Sequence, residues 1–156
     1  MTQAITPNNE LKNLYDRDMN LWLEEAIVQL KSGDFYNLDV ENLIEELESL
    51  ANRDRREIEN RLIRLIEHIL NRCYVKKPEC YRGWEVTIIH QSDRLRRALR
   101  QSPSLKRHFL QSFEESFDTA LKIVRTEYAE TSFPKTWQFD NDIDTMLSAK
   151  FWDSDQ

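Results

Sequence analysis

The stretch of sequence that decides the fold is residues 40–70, VENLIEELESLANRDRREIENRLIRLIEHIL. Its apolar side chains recur at steps of three and four residues, which is the spacing of one face of an α-helix. A polar segment, residues 52–57, interrupts this stripe, but it contains no Pro or Gly and the stripe resumes in phase at Ile58. Asp39 is a suitable N-cap, because its carboxylate can accept hydrogen bonds from amides of the first turn. The pattern predicts one continuous helix from Asp39 to about Arg72; two helices kinked within the polar segment are the alternative.

The same spacing predicts helices on both sides of this stretch. One runs from about residue 8 or 9 to Lys31, and Ser32-Gly33 ends it. Residues 73–83 contain Pro78 and Gly83 and are interpreted as a connection.

The C-terminal half continues with three more helices. The third is expected over about residues 84–101. The fourth extends to about Glu130, with Ser102 as its N-cap and Pro103 at its first position. A last short helix follows Asp140 or Asp142. The predicted fold class is all-α, an antiparallel bundle of four longer helices plus a short C-terminal helix. It forms a single domain over residues 1–156, with a core at about residues 9–151.

Composition excludes several classes of protein and site. Two glycines and four prolines argue against a turn-rich β fold and against a Gly-rich phosphate loop. No apolar run reaches the roughly 18 residues of a membrane span, and the first residues lack a secretory signal pattern, so we expect a soluble cytoplasmic protein. Cys73 and Cys80 are too sparse for a zinc site and are interpreted as structural thiols. The Glu-x-x-His pattern of di-metal bundles precedes none of the three histidines. Neither a metal nor a cofactor is predicted.

Charge is distributed unevenly along the chain, although the total is only −6. Residues 1–50 carry a net charge of −8, residues 72–107 a net of +7 and residues 108–156 a net of −6. The basic stretch is either a solvated face with pairs to acidic helices or a surface for an anionic partner, RNA, DNA or an acidic protein. The candidates for such an anionic-partner surface are Arg72, Lys76, Lys77, Arg82, Arg96, Arg97, Arg100, Lys106 and Arg107.

A second set of polar residues is predicted to form an internal layer. Asp54 falls in the seam of the long helix, one helical step from Ile58, and an inward-facing Asp requires a partner such as an Arg of the third helix. This layer is an ion-pair network that fixes helix register or a ligand-binding or catalytic pocket; the remaining alternative is that these side chains are simply exposed. Its candidate members are Glu46, Asp54, Glu57, His68, Gln91 and Arg94.

Several separated motifs resemble those of a small bacterial family, the domain of unknown function family twenty-nine. The motifs, in family order, are LYDRD at 14–18, WLE at 22–24, LIEELESL at 43–50, LIEHIL at 65–70 and WEVTI at 84–88. The resemblance covers about residues 11–147. It implies an all-helical bacterial domain, common in photosynthetic bacteria, and it supplies no established activity or catalytic residue.

Arg61 and His68 offer a weaker resemblance. Their spacing on a helical bundle is similar to that of HEPN-type RNases of bacterial toxin systems, in which a His would act on the ribose 2′-OH and an Arg would stabilise phosphate charge. Five arginines lie between residues 53 and 64, so one at this spacing from His68 is unsurprising.

We therefore predict a non-enzymatic interaction module with a protein partner, and an oligomer is compatible with the pattern. The alternative is a toxin-antitoxin component with RNase or RNA-binding activity that uses Arg61, His68 and residues 72–107.

Overall fold

The structure is a computed structural model that describes residues 13–153. All regular secondary structure in this range is helical, which confirms the all-α class. The chain divides between Asn52 and Arg53 into two compact units. The arrangement as one antiparallel bundle in a single domain stays a prediction. The helices are α1 (Met19–Ser32), α2 (Val40–Tyr74), α3 (Pro78–Gln101), α4 (Leu105–Glu127) and α5 (Ile143–Ser148).

The first unit is a helical hairpin of α1 and the start of α2. One uninterrupted first helix was predicted, but a helical turn at residues 13–17 breaks at Asp18, whose carboxylate accepts from the amide of Leu21 at 3.0 Å and caps α1. The short side chain of Asp competes for these amides, which is why a break occurs here. Gly33 ends α1 in the left-handed region, with φ 76°, as predicted. The predicted start at residue 8 or 9 lies outside the described residues.

Helix α2 is continuous over 35 residues, which confirms the favoured alternative. At 1.5 Å per residue it is about 52 Å long. Asp39 precedes it as predicted, and its Oδ1 accepts from the amide of Asn42 at 3.3 Å. The polar segment is helical throughout, because Arg and Glu are good helix formers.

The second unit combines the rest of α2 with α3, α4 and α5 around one apolar core. Stripes at helical spacing from each long segment meet there, and Leu65, Leu95 and Phe109 are fully buried. Aromatic rings close one side of this core: Trp137 lies 5.5 Å from Phe113 and 5.6 Å from Phe151, centroid to centroid, in edge-to-face contacts.

Two predicted boundaries in the second unit are wrong. Helix α3 begins at Pro78 rather than near Trp84, because Pro is favoured at the first helical position and Gly83 is tolerated inside the helix. Helix α4 begins at Leu105, and Ser102 instead closes a preceding turn by accepting from the Leu105 amide at 3.0 Å. Asp142 caps α5 through the amide of Thr145 at 3.0 Å, which decides between the two predicted caps.

Candidate protein-interaction site

A buried hydrogen-bond group holds the two helices of the hairpin together. Trp22 is fully buried on α1, and its Nε1 donates to Oδ2 of buried Asp39 at 3.1 Å. The same carboxylate oxygen accepts from Nδ2 of Asn42 at 2.7 Å. One carboxylate therefore caps α2 and fixes the indole of α1, and its buried charge is compensated by several donors.

A second link joins the open end of the hairpin. The hydroxyl of Tyr15 donates to Oε1 of Glu46, and its ring packs edge-to-face on Trp22 with centroids 5.0 Å apart. The hydrogen bond to Glu46 raises the pKa of Tyr15 to about 12, because it stabilises the protonated phenol and the carboxylate repels a phenolate. Both links lie within the first unit, so the hairpin is organised by its own residues.

The hairpin nevertheless leaves much of its apolar surface uncovered. On α2, Ile44 is 50% exposed and Leu47 is 57% exposed. The apolar arcs of both helices extend from the inter-helix contacts toward the same side, as follows from 100° per residue in two antiparallel helices. We call this surface the hairpin face. It comprises Met19, Leu23, Ile27, Leu30, Val40, Ile44, Leu47 and Leu50.

The hairpin face was not predicted, because its residues were assigned to apolar stripes of a bundle. A signal for it exists in α1, which carries Leu21 and Val28 on the side opposite Ala26 and is apolar almost all round. A helix of that kind is normally covered on several sides. Leu21 and Val28 are themselves exposed.

The first unit is strongly acidic. Residues 13–52 contain ten Asp and Glu against only Arg17 and Lys31, which is a net charge of −8. Glu41 and Glu48 lie on the exposed surface of α2, and Glu24 and Glu25 on that of α1. The hairpin therefore combines an exposed apolar surface with a strongly negative charge.

The predicted polar layer forms only in part. Arg61 connects Glu57 to the third helix: its Nε donates to Glu57 Oε1 at 2.9 Å, and its Nη1 donates to Gln91 Oε1 at 3.2 Å. The placement of Asp54 is wrong, because its side chain is exposed rather than inward-facing, and Arg94 is exposed as well. Leu50 and Ala51, one helical step before Asp54, are exposed as well, so the seam is open to solvent at this turn of α2. Glu46, another candidate of this layer, lies in the hairpin and accepts the hydrogen bond of the Tyr15 hydroxyl.

His68 is half-buried on α2. Its Nδ1 lies 2.8 Å from the carbonyl oxygen of Arg64, one turn earlier. Burial lowers the pKa of His68 below its ordinary 6.5, although the hydrogen bond to Arg64 opposes the change. Arg61, the other candidate of the RNase hypothesis, is held by Glu57 and Gln91, so the polar contacts of the two side chains go to different groups.

The predicted basic surface is divided among several local contacts. Arg72 pairs with Glu85 at 3.2 Å and stacks 3.9 Å above the Tyr81 ring. Lys77 lies 5.2 Å from the Tyr128 ring centroid. Arg97 pairs with Asp93 at 3.0 Å. The remaining candidates, Lys76, Arg82, Arg96, Arg100, Lys106 and Arg107, are exposed.

Three of these cations line one cleft of about 520 Å³ between α3 and α5. They are Arg96, Arg100 and Lys106, and Nη2 of Arg96 donates to the carbonyl of Leu147 at 2.7 Å. Asp144 is the one carboxylate in its lining. This hydrogen bond links α3 to α5, so Arg96, predicted as a residue of the anionic-partner surface, makes a structural contact.

Potential metal ligands and thiols are the remaining candidate groups in residues 13–153. No group of three His, Cys, Asp or Glu in this range could hold a metal ion. Cys73 and Cys80 are free thiols, and burial raises the pKa of Cys73 to about 12, which keeps its thiol protonated. None of the helices in the described part of the chain is long and apolar enough to cross a membrane.

Comparison with known proteins identifies a family but no characterised relative. No curated protein and no solved structure matches the chain. The model of the family described as Domain of unknown function DUF29 matches residues 14–152, which cover most of both units and the whole hairpin face. The chain therefore belongs to the DUF29 family.

Proposed function

We propose that this protein is a non-enzymatic interaction module that binds another protein through the hairpin face. The observation that carries this proposal is the clustering of exposed large apolar side chains on α1 and the start of α2. Eight such side chains, each 38–57% exposed, lie on these two helices, and clusters of exposed apolar side chains are typical of protein interaction sites. The predicted partner is thus a protein rather than a nucleic acid.

The hairpin is preorganised for such a role. Trp22–Asp39 and Tyr15–Glu46 fix the two helices by contacts that do not involve the hairpin face. A surface that is already ordered loses little conformational entropy on binding, which increases affinity for a given contact area.

The test is a pull-down with the tagged full chain and two matched variants. The double variant Ile44→Asp/Leu47→Asp puts charges on the hairpin face, and Ile89→Asp puts one at a 66% exposed site of α3. We expect proteins captured by the unaltered chain to be lost with the double variant and kept with Ile89→Asp. Equal capture by both variants would remove the hairpin face as the binding site.

The RNase alternative has its own test. Strong expression in a bacterial host should arrest growth if the chain is a toxin, and His68→Ala should relieve the arrest. Normal growth during strong expression would contradict this alternative and leave the interaction module as the proposal.

A further inference from the structure

We propose that the segment bound on the hairpin face is a basic amphipathic helix of a partner protein. This inference rests on the proposed function, because it names the chemistry of the partner for the same surface. Two features of the first unit support it: the shape left by two neighbouring helices and the sign of the charge around them.

The shape fits a helix. Two antiparallel helices in contact form a groove along their common side, and the apolar arcs of α1 and α2 border that side. A third helix laid in such a groove buries an apolar stripe of residues at i, i+3, i+4 and i+7. The contacts Trp22–Asp39 and Tyr15–Glu46 place residues 39–46, at the start of α2, beside residues 15–22, so the groove is about 10 Å long and accommodates about two turns of a partner helix.

The negative charge of the first unit favours a basic helix as its partner. Glu41 and Glu48 are three and four residues from Ile44 and therefore share its side of α2, so a helix on the hairpin face places its polar flanks near these exposed carboxylates. Lysines or arginines at those flanks would meet opposite charge, whereas acidic flanks would meet repulsion. A second copy of this hairpin is the poorer occupant for the same reason, since it would bring two units of net charge −8 together.

The experiment uses the purified full chain and three labelled synthetic helices with one common leucine stripe. Their remaining positions are Lys, Gln or Glu, and binding is measured by fluorescence anisotropy. We expect the Lys peptide to bind roughly tenfold or more tighter than the Gln peptide at low salt, the Glu peptide not to bind, and the Lys advantage to shrink as salt rises.

Variants separate the hairpin face from general attraction to an acidic protein. Ile44→Asp/Leu47→Asp should abolish binding of the Lys peptide. Glu41→Gln/Glu48→Gln should weaken it several-fold without affecting the Gln peptide. The matched control, Glu114→Gln/Glu115→Gln, removes two exposed carboxylates from α4 and should leave binding unchanged.

Three outcomes would overturn the inference. The first is equal binding of the Lys and Gln peptides, and the second is no binding of any peptide. The third is self-association of the chain in sedimentation that Ile44→Asp/Leu47→Asp abolishes, which would make a second copy the occupant. The first two outcomes do not contradict the proposed function, which is tested by capture with the same double variant. The third would also change that function from binding another protein to self-association.

Discussion

Two halves of one helix behave differently in this protein. Helix α2 carries an apolar stripe that runs in phase from Val40 to Leu70. In the first half Leu47 is 57% exposed, whereas in the second half Leu62 and Leu65 are 0% exposed. Residue type, spacing and helical phase are the same in both halves, so the difference lies in the number of helices around each one.

This comparison shows that an apolar stripe is buried only where several helices pack against it. The second half of α2 packs with α3, α4 and α5 around a shared core, which covers its stripe on several sides. In the first unit, the stripe has α1 as its neighbour, and two helices leave one side of their contact open. An amphipathic helix gains most of its stability from the packing of that stripe. The open side is therefore where further packing has most to contribute.

The largest effect is expected from shortening a side chain in the covered half. Leu62→Ala should lower the free energy of unfolding by about 2–5 kcal/mol, because it leaves a cavity in a fully buried site. The matched change in the open half, Leu47→Ala, should change it by about 0.5 kcal/mol or less. Urea unfolding followed by circular dichroism measures both. Similar losses for the two variants would mean that Leu47 is covered in solution.

The sequence predicts the class of the fold and the continuity of α2 because both depend on local spacing. In-phase stripes, the Asp39 cap and the Gly33 stop act within a few residues, and each is confirmed. The predicted start of α3 was wrong because Pro78 is compatible with both a turn and a first helical position.

The candidate site was harder to predict for a physical reason. Periodicity shows which side chains share a face, but exposure depends on contacts with residues distant in sequence. Asp54 illustrates this, because it shares the seam by position and yet lies exposed. Conversely, Arg61 and Gln91 are 30 residues apart and are brought together only by the packing of α2 on α3.

A second prediction concerns the buried link of the hairpin. Trp22→Phe removes the donor to Asp39 and leaves one buried carboxylate oxygen with a single side-chain donor, Asn42. The expected cost is about 1–3 kcal/mol, confined to the first unit. Hydrogen exchange should show faster exchange in residues 19–50 and unchanged protection in residues 58–70. The control Tyr36→Phe alters an exposed ring and should change neither region; loss of protection in both regions would show that the two halves of α2 unfold together.

A third prediction concerns the pH dependence of stability in the covered half of α2. Burial lowers the pKa of His68, so the folded chain binds this proton less readily than the unfolded chain. The contribution of His68 to stability is present above about pH 6.5 and is lost as the pH falls through the lowered value. Urea unfolding of the unaltered chain and of His68→Asn should therefore differ in slope against pH below about 6.5. Identical slopes would show that His68 is solvated in the folded protein.

The smallest effect on stability is expected at Tyr15, at the end of the hairpin away from the connecting loop. Its pH dependence is opposite to that of His68, because stability is lost as the pH rises. The hydrogen bond to Glu46 raises the pKa of Tyr15 to about 12 from the ordinary 10.0, so the folded hairpin retains this proton more firmly than the unfolded chain does. Its contribution to stability is complete below about pH 10 and is lost as the pH rises toward 12. In an ultraviolet titration, Glu46→Gln should shift one tyrosine toward the ordinary value, because the amide lacks the charge that disfavours the phenolate. A titration curve that Glu46→Gln leaves unchanged would mean that the link at Tyr15 is open in solution, and that the covered half of α2 and the buried Trp22–Asp39 pair alone order this helix.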